Sequence, residues 1–329
     1  MGFESRKSLA IFAARRLLKS VLLILGVIVV SFLIIHLAPG DVTIALAGTV
    51  YVPKRILDEL RTSLGLDQPL YVQLGLYIAR VGVGNLGYSY VSQETVASLI
   101  LARLPVTLIL VVSPMVIYTL LGVVLGVLAS RKQYSLVDNM VSLVSSLGIA
   151  VPVFWLGQIL ILVFSANLGW FPVQGQVSIR TPPEGIGLYL DMIWHTILPA
   201  TTVGLWQLAL VSRLSRASMI ESLHQDYITW ARSKGATENT VTFKHALRNA
   251  LLPVVTITGY NFGYLLTAAT LTEIVFAWPG LGRLLVDSIY LRDFPVITGL
   301  LIFVSITVIL ANTVTDILYG FLDPRIRYR

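Results

Sequence analysis

The chain contains no cysteine. Disulfides, thiolate metal ligands and a cysteine nucleophile are excluded, and nothing about compartment follows. Charge is also scarce. Asp, Glu, Lys and Arg make up 12% of 329 residues, where a soluble domain carries about 25%. No G-x-x-x-x-G-K-[ST] occurs, so any ATP used with this chain must be held by another. Neither H-E-x-x-H nor G-x-S-x-G is present, which leaves an intramembrane enzyme without a catalytic constellation. What is abundant is apolar: 56% of residues are hydrophobic. A core able to hide that much from water is not plausible at this length, so lipid must be the solvent for most of it. The net charge of +7 does not point to nucleic acid, because the basic residues flank oily runs and so mark topology.

A span needs about 20 mostly apolar residues. Six are predicted, over roughly 20–38, 106–129, 140–165, 196–212, 254–277 and 296–320. With the N-terminus inside, the inner segments hold 16 of the 24 basic residues, including Arg15, Arg16, Arg131, Lys132, Arg213 and Arg216. Six spans with both termini cytoplasmic satisfy the positive-inside rule. The first run is about 18 residues long, above the length of a signal peptide. It is read as an uncleaved anchor despite the cleavage-like "ALA" at Ala45–Ala47.

The outer segment from Pro39 to Leu104 is too long for a plain connection. "PKRILDELRTSLG" predicts an amphipathic helix: Pro53 starts it, Ile56, Leu60 and Leu64 repeat every four residues, and Gly65 ends it. A second helix is predicted over Tyr71 to Arg80, and an interfacial helix over "TVASLILARLP" leading to Pro105. "NLGWFPVQGQVSIRTPPEGIG" reads as a Gly/Pro loop at the membrane surface. "GVGNLG" at Gly82–Gly87 fits G-x-G-x-x-G, but it follows a helix and has no acidic residue about 20 positions on. A sharp turn is the expectation.

Few ionisable groups sit at depth. They are His36 and His195 at span ends, Glu273 late in the fifth span and Asp316 in the sixth, one turn after Asn312. Glu273 is a gating candidate or an interhelical partner, and Asp316 a helix-packing partner. "GVVLG", Gly122 to Gly126, allows close helix contact. In span five, Thr256, Tyr260, Gly263, Tyr264, Thr267 and Thr270 recur at spacings of three and four. That stripe of small and hydroxylated groups suits a helix interface or a wet pathway, and Asn261 adds an amide beside it.

The most informative stretch is "DYITWARSKGATENTVTFKHALRNALLP", Asp226–Pro253. Threading its six charged residues through lipid would cost on the order of 15 kcal/mol, so it stays in water. Tyr227, Trp230 and Ala231 fall on one helical face, Gly235 is placed to end that helix, and Thr237 can cap the next. There Phe243, Leu247 and Leu251 share a face with Ala246 and Ala250. Two short helices joined by a glycine turn either lie on the membrane surface or dock into a partner with Trp230 as anchor.

This segment resembles the signature loop of bacterial ABC importer membrane subunits, closest to the B-type permease of the dipeptide and oligopeptide branch. The likeness extends through "HLAPGD", "LGLDQPLYVQ", "VPVFWLG", "LTEIVFAWPGLGRLLVDSI", "RDFPVITG" and "DPRIR". Thr229-Trp230-Ala231 stands where the general signature often has Glu-Ala-Ala, and Asn85 where the branch usually has Asp.

The resemblance implies an all-α polytopic membrane protein of the type I ABC importer fold, in the bacterial inner membrane. It divides into 1–94 with the first span, a core of five helices over 95–320 with a coupling loop at 213–253, and a tail 321–329. It implies a non-enzymatic permease forming half of a pathway for di- or oligopeptides. Nickel chelates, glutathione or glycosides are alternative cargoes, and a self-sufficient ion-coupled carrier using Glu273 and Asp316 is the rival from another class. The expected partners are a second permease subunit of C-type, two ATPase subunits carrying ATP and Mg, and an extracytoplasmic binding protein. This chain itself is expected to bind no cofactor or metal. The ATPase contact implied comprises Tyr227, Thr229, Trp230, Ala231, Arg232, Lys234, Gly235 and Ala236.

Overall fold

The structure, a computed structural model, describes residues 3–37, 43, 53–179 and 183–322. The cleavage-like Ala45–Ala47 and the motif beginning at Asp323 lie outside the described residues, as does the side chain of Leu60. Among the described residues the elements are helical apart from one two-stranded antiparallel hairpin. Four helices are long and apolar enough to cross a bilayer: Ile11–Leu37, Val96–Arg131, Ile186–Leu223 and Phe294–Ile317. Two bent pairs bring the number to six if each is one span. The chain divides into two compact units.

One unit comprises Arg6–Thr107 and Pro279–Thr313. It holds α1 (Phe3–Leu37) from Arg6 onward, α2 (Lys54–Ser63), α3 (Leu70–Gly82), the hairpin of β1 (Tyr88–Ser89) and β2 (Glu94–Thr95), and α11 (Leu281–Tyr290). It also takes the first part of α4 (Val96–Arg131) and most of α12 (Phe294–Leu322). α2 stops before Gly65, whose φ of +67° suits glycine. The turn before the hairpin likewise uses Gly84 at +80° and Gly87 at +103°, and the Asn85 side chain accepts the Gly87 N–H at 3.1 Å. Val96, Ile100, Leu281, Leu284, Val296 and Leu300 form one buried core. α1 turns Leu18, Leu22 and Leu23 outward, as a helix against lipid does. The interfacial helix expected before Pro105 is not separate: α4 runs through Pro105 unbroken.

The hairpin is held by Asp293, 2% exposed, whose carboxylate accepts the Ser89 hydroxyl at 2.5 Å. Asp293 also stands directly before α12, its second carboxylate oxygen facing the Val296 N–H at 3.5 Å. Burial pushes its carboxyl above the ordinary value, opposed by the hydroxyl of Ser89.

The other unit comprises Met1–Ser5, Leu108–Trp278 and Val314–Arg329. It contains α5 (Leu136–Ala150), α6 (Val153–Asn167), α7 (Ile186–Leu223), α8 (Asp226–Ser233), α9 (Glu238–Tyr260) and α10 (Phe262–Val275). The continuous span expected over 140–165 is broken, with α5 and α6 meeting at 107°. Proline disfavours helical backbone in the residue before it, and Val151 is extended at ψ 125° ahead of Pro152. The fifth span also bends, by 50°, where α9 gives way to α10 at Asn261. Gly122 and Gly126 bring α4 close to α7. A methyl on Gly126 would lie 2.7 Å from the Ser212 carbonyl oxygen.

α5 is fastened to α7 at two points along its length. Ser145 and Ser212 share a hydroxyl hydrogen bond of 2.7 Å. Arg216 grips Asp138 with two N–H groups, Nη2 reaching Oδ2 at 2.7 Å. Asp138, 1% exposed, also accepts the Tyr134 N–H at 2.8 Å, and its own N–H goes to the capping Ser135 hydroxyl.

Candidate functional site

The charged island folds as an elbow of α8, a three-residue turn, and α9. Gly235 has φ +82°, the left-handed value that only glycine adopts cheaply. The Ala236 N–H returns to the Ala231 carbonyl at 3.2 Å and the Gly235 N–H to the Arg232 carbonyl at 2.9 Å. This crossed pair satisfies the carbonyls that the end of α8 would leave open. Thr237 then opens α9 by accepting the Thr240 N–H. Across the turn, Arg232 binds Glu238 through two bonds of 2.9 and 3.2 Å, which hold its guanidinium above the ordinary value. The Tyr227 hydroxyl accepts from Asn249 at 2.9 Å, and Arg131 donates to Asn239 at 3.2 Å. The elbow is thus braced at several points.

Its inner face is a core of Ile228, Val241, Ala246 and Ala250 with Val127 and Met219, partly covered by Ala231 and Ala236. Burying Ile228 completely contributes about 2 kcal/mol. The outer face carries Trp230, 69% exposed, with Tyr227, Thr229, Arg232, Lys234 and Gly235 also exposed. The face expected from periodicity therefore splits. Ala231 turns inward beside Ile228, which sequence reasoning missed, while Tyr227 and Trp230 point out.

Within α9, Val241–Ala246 is a widened turn of π-helical type. It shifts the register, so Val241 and Thr242 are buried, while Phe243, expected on one apolar face with Ala246 and Ala250, is exposed and those two are buried. Phe243 could not be placed from sequence because an ideal 3.6-residue period does not contain the widened turn.

The stripe of span five stays together through the bend at Asn261. Tyr260, Tyr264 and Thr267 are exposed, and Thr256, Gly263 and Thr270 half-buried. The threonine hydroxyls bond back to carbonyls of their own helices, Thr256 to Leu252 at 3.0 Å and Thr267 to Gly263 at 3.3 Å. Tyr260 donates its hydroxyl to Asp316, which fits the packing role expected of Asp316. Tyr264 stacks on Trp206 with ring centroids 4.0 Å apart. Trp206 was missed, since nothing in the local pattern links positions 58 residues apart. Glu273 is fully buried in the last turn of α10, beside buried Phe276 and Trp278.

Apolar helices long enough to cross a bilayer, interrupted by one braced and charged elbow, define a multi-pass helical membrane protein. Residues 122–328 match the family described as "Binding-protein-dependent transport system inner membrane component", and residues 9–111 match the corresponding N-terminal family. The chain belongs to this family and is a multi-pass protein of the bacterial inner membrane, the permease component of an ABC importer.

Three relatives illustrate its neighbourhood. A di/tripeptide transport system permease of Pseudomonas aeruginosa is 41% identical, covering 97% of this chain and 99% of that protein. An oligopeptide transport system permease of Bacillus subtilis is 39% identical, covering 97% and 100%. A glutathione transport system permease of Escherichia coli is 40% identical, covering 97% and 99%.

Proposed function

We propose that this chain forms half of the translocation pathway for di- or oligopeptides, and that the elbow at Gly235 couples the pathway to a separate ATPase. The observation that carries the coupling reading is Trp230: a large aromatic 69% exposed, on a helix whose opposite side is fully buried at Ile228. Such a residue is suited to anchor a partner. The contact comprises Tyr227, Thr229, Trp230, Ala231, Arg232, Lys234, Gly235 and Ala236. In this reading α8 works as a strut. Closure of two ATPase subunits pushes it, and the push passes through Ile228 and Met219 into α7 and α4.

The elbow and both termini are cytoplasmic in this arrangement. A second permease subunit completes the pathway, an external binding protein delivers cargo, and ATP and Mg reside on the ATPases. This chain carries out no chemistry. Along the pathway we place the face of Thr256, Tyr260, Gly263, Tyr264, Thr267 and Thr270, with Glu273 as a gating residue at its end. The peptide cargo is supported by the relatives named for di/tripeptides and oligopeptides, and glutathione is itself a modified tripeptide.

The test is ATP-dependent peptide uptake and ATPase co-purification in the assembled transporter with Trp230→Ala. Association with the ATPase should weaken about thirtyfold, the value of an interface hot spot, with uptake falling in step. Unchanged uptake and co-purification would sink the coupling assignment. Gradient-driven uptake by the purified chain alone would replace the importer with a carrier.

A further inference from the structure

A cavity of about 360 Å³ lies within the unit that carries the hairpin, at the low end of the range for small-molecule sites. One wall is the end of the first span, through Phe32 and Ile35, so the cavity sits where a bilayer's head groups begin. Leu64 extends the apolar side, and the rings of Tyr77 and Tyr88 face it from α3 and the hairpin. Arg80 is the one full-time cation of the lining, and no Asp or Glu lines it among the described residues. His36 and Gln73, which also line it, are engaged with each other at 2.9 Å, and the Gln73 amide is further tied to the Gln68 carbonyl at 2.7 Å. They are held in place rather than free to swing away.

We propose that this cavity binds the phosphate-bearing head of a membrane phospholipid, with Arg80 on the phosphate and the acyl chain running along α1. A guanidinium binds phosphate by two parallel N–H bonds, and tyrosines are the residues that prefer the head-group layer. Burial pulls the Arg80 guanidinium below its ordinary value, as expected of a cation short of a counter-charge, and the neighbouring Tyr77 only partly offsets this. On another face of the same helix, α1 turns Val30 and Leu33 outward, as a helix against lipid does. A peptide fits this lining poorly. It brings an ammonium group as well as a carboxylate, and the described lining offers no anion to meet it. The inference rests on the chain lying in a bilayer and not on the coupling role of the elbow.

The full-length chain, stripped of lipid in mild detergent, is titrated with phosphatidylglycerol and followed by native mass spectrometry. One lipid per chain should be retained. Arg80→Gln should weaken retention about tenfold and Arg80→Lys should restore most of it, with thermal unfolding of both variants matching the parent. A phosphatidylglycerol with a photoreactive acyl chain, applied to the unaltered chain, should label residues of α1 near Phe32. Equal retention in Arg80→Gln, or labelling elsewhere, overturns the proposal. Displacement of the lipid by inorganic phosphate at equal concentration would assign the site to a free anion. Displacement by a dipeptide would assign it to cargo. Either result overturns the lipid assignment. Loss of uptake in Trp230→Ala with lipid retention intact would keep this inference separate from the coupling reading.

Discussion

Asp138 and Asp293 are both nearly sealed from water, at 1% and 2% exposed, yet their regions treat the carboxylate in opposite ways. In the elbow-bearing unit, Asp138 meets the guanidinium of Arg216 and a backbone N–H. In the hairpin-bearing unit, the donors that Asp293 meets among the described residues are neutral, the Ser89 hydroxyl and the Val296 N–H. A charge met by a charge makes a clamp that holds at any ordinary pH. A charge met by dipoles makes one that weakens as the acid ionises.

The largest expected effect tests the first arrangement. Arg216→Leu leaves Asp138 buried without its cation and should lower unfolding stability in detergent by about 2–3 kcal/mol. That is less than for a fully enclosed pair, because Arg216 keeps some water. A neutral result would mean that Asp138 takes up a proton at no cost.

Next comes the elbow, where shape rather than charge is at stake. Gly235→Val should cost about 1–2 kcal/mol through its left-handed backbone alone, since nothing lies within 4 Å of an added Cβ. Gly235→Asn should cost less, and uptake assays on the pair separate backbone strain from crowding.

The second carboxylate gives a pH signature. The Asp293 carboxyl is held above its unfolded value. Its stabilising contribution is therefore complete at acidic pH and lost as pH rises through the raised value. Amide protection of residues 88–95 should fall as pH rises above the ordinary carboxyl value of about 4, and Asp293→Asn should flatten that fall.

The smallest effect belongs to the exposed pair. Glu238→Gln should change uptake less than about twofold, because solvent screens the Arg232–Glu238 contact. A larger loss would mean that Glu238 sets the pose in which Arg232 meets the ATPase.

Local sequence carried the helices, the glycine stop at Gly235 and the cap at Thr237, because these depend on neighbours a few residues away. It also carried Gly122 and Gly126, whose lack of a side chain has meaning only against another helix. The break at Pro152 was hidden by hydropathy, which stays high on both sides of it. The bend at Asn261 was hidden in the same way. Ile228 was overlooked in favour of its aromatic neighbours, although it is the residue that fills the core. The clamp of Asp138 by Arg216 joins positions 78 apart, and that of Ser89 by Asp293 joins positions 204 apart. No spacing rule reaches so far. Among the candidate site residues, the sequence could name those of the elbow but not which way each would turn.

The widened turn at Val241–Ala246 fixes how freely this segment can be exchanged between permeases. A chimera that drops one residue elsewhere between the Gly235 corner and Asn261, with the widened turn kept, would rotate everything downstream by about 100°. Tyr264 would swing away from Trp206 while the Gly235 corner kept its form. Donor and recipient must match in residue number between the corner and Asn261 before their chemistry is compared at all.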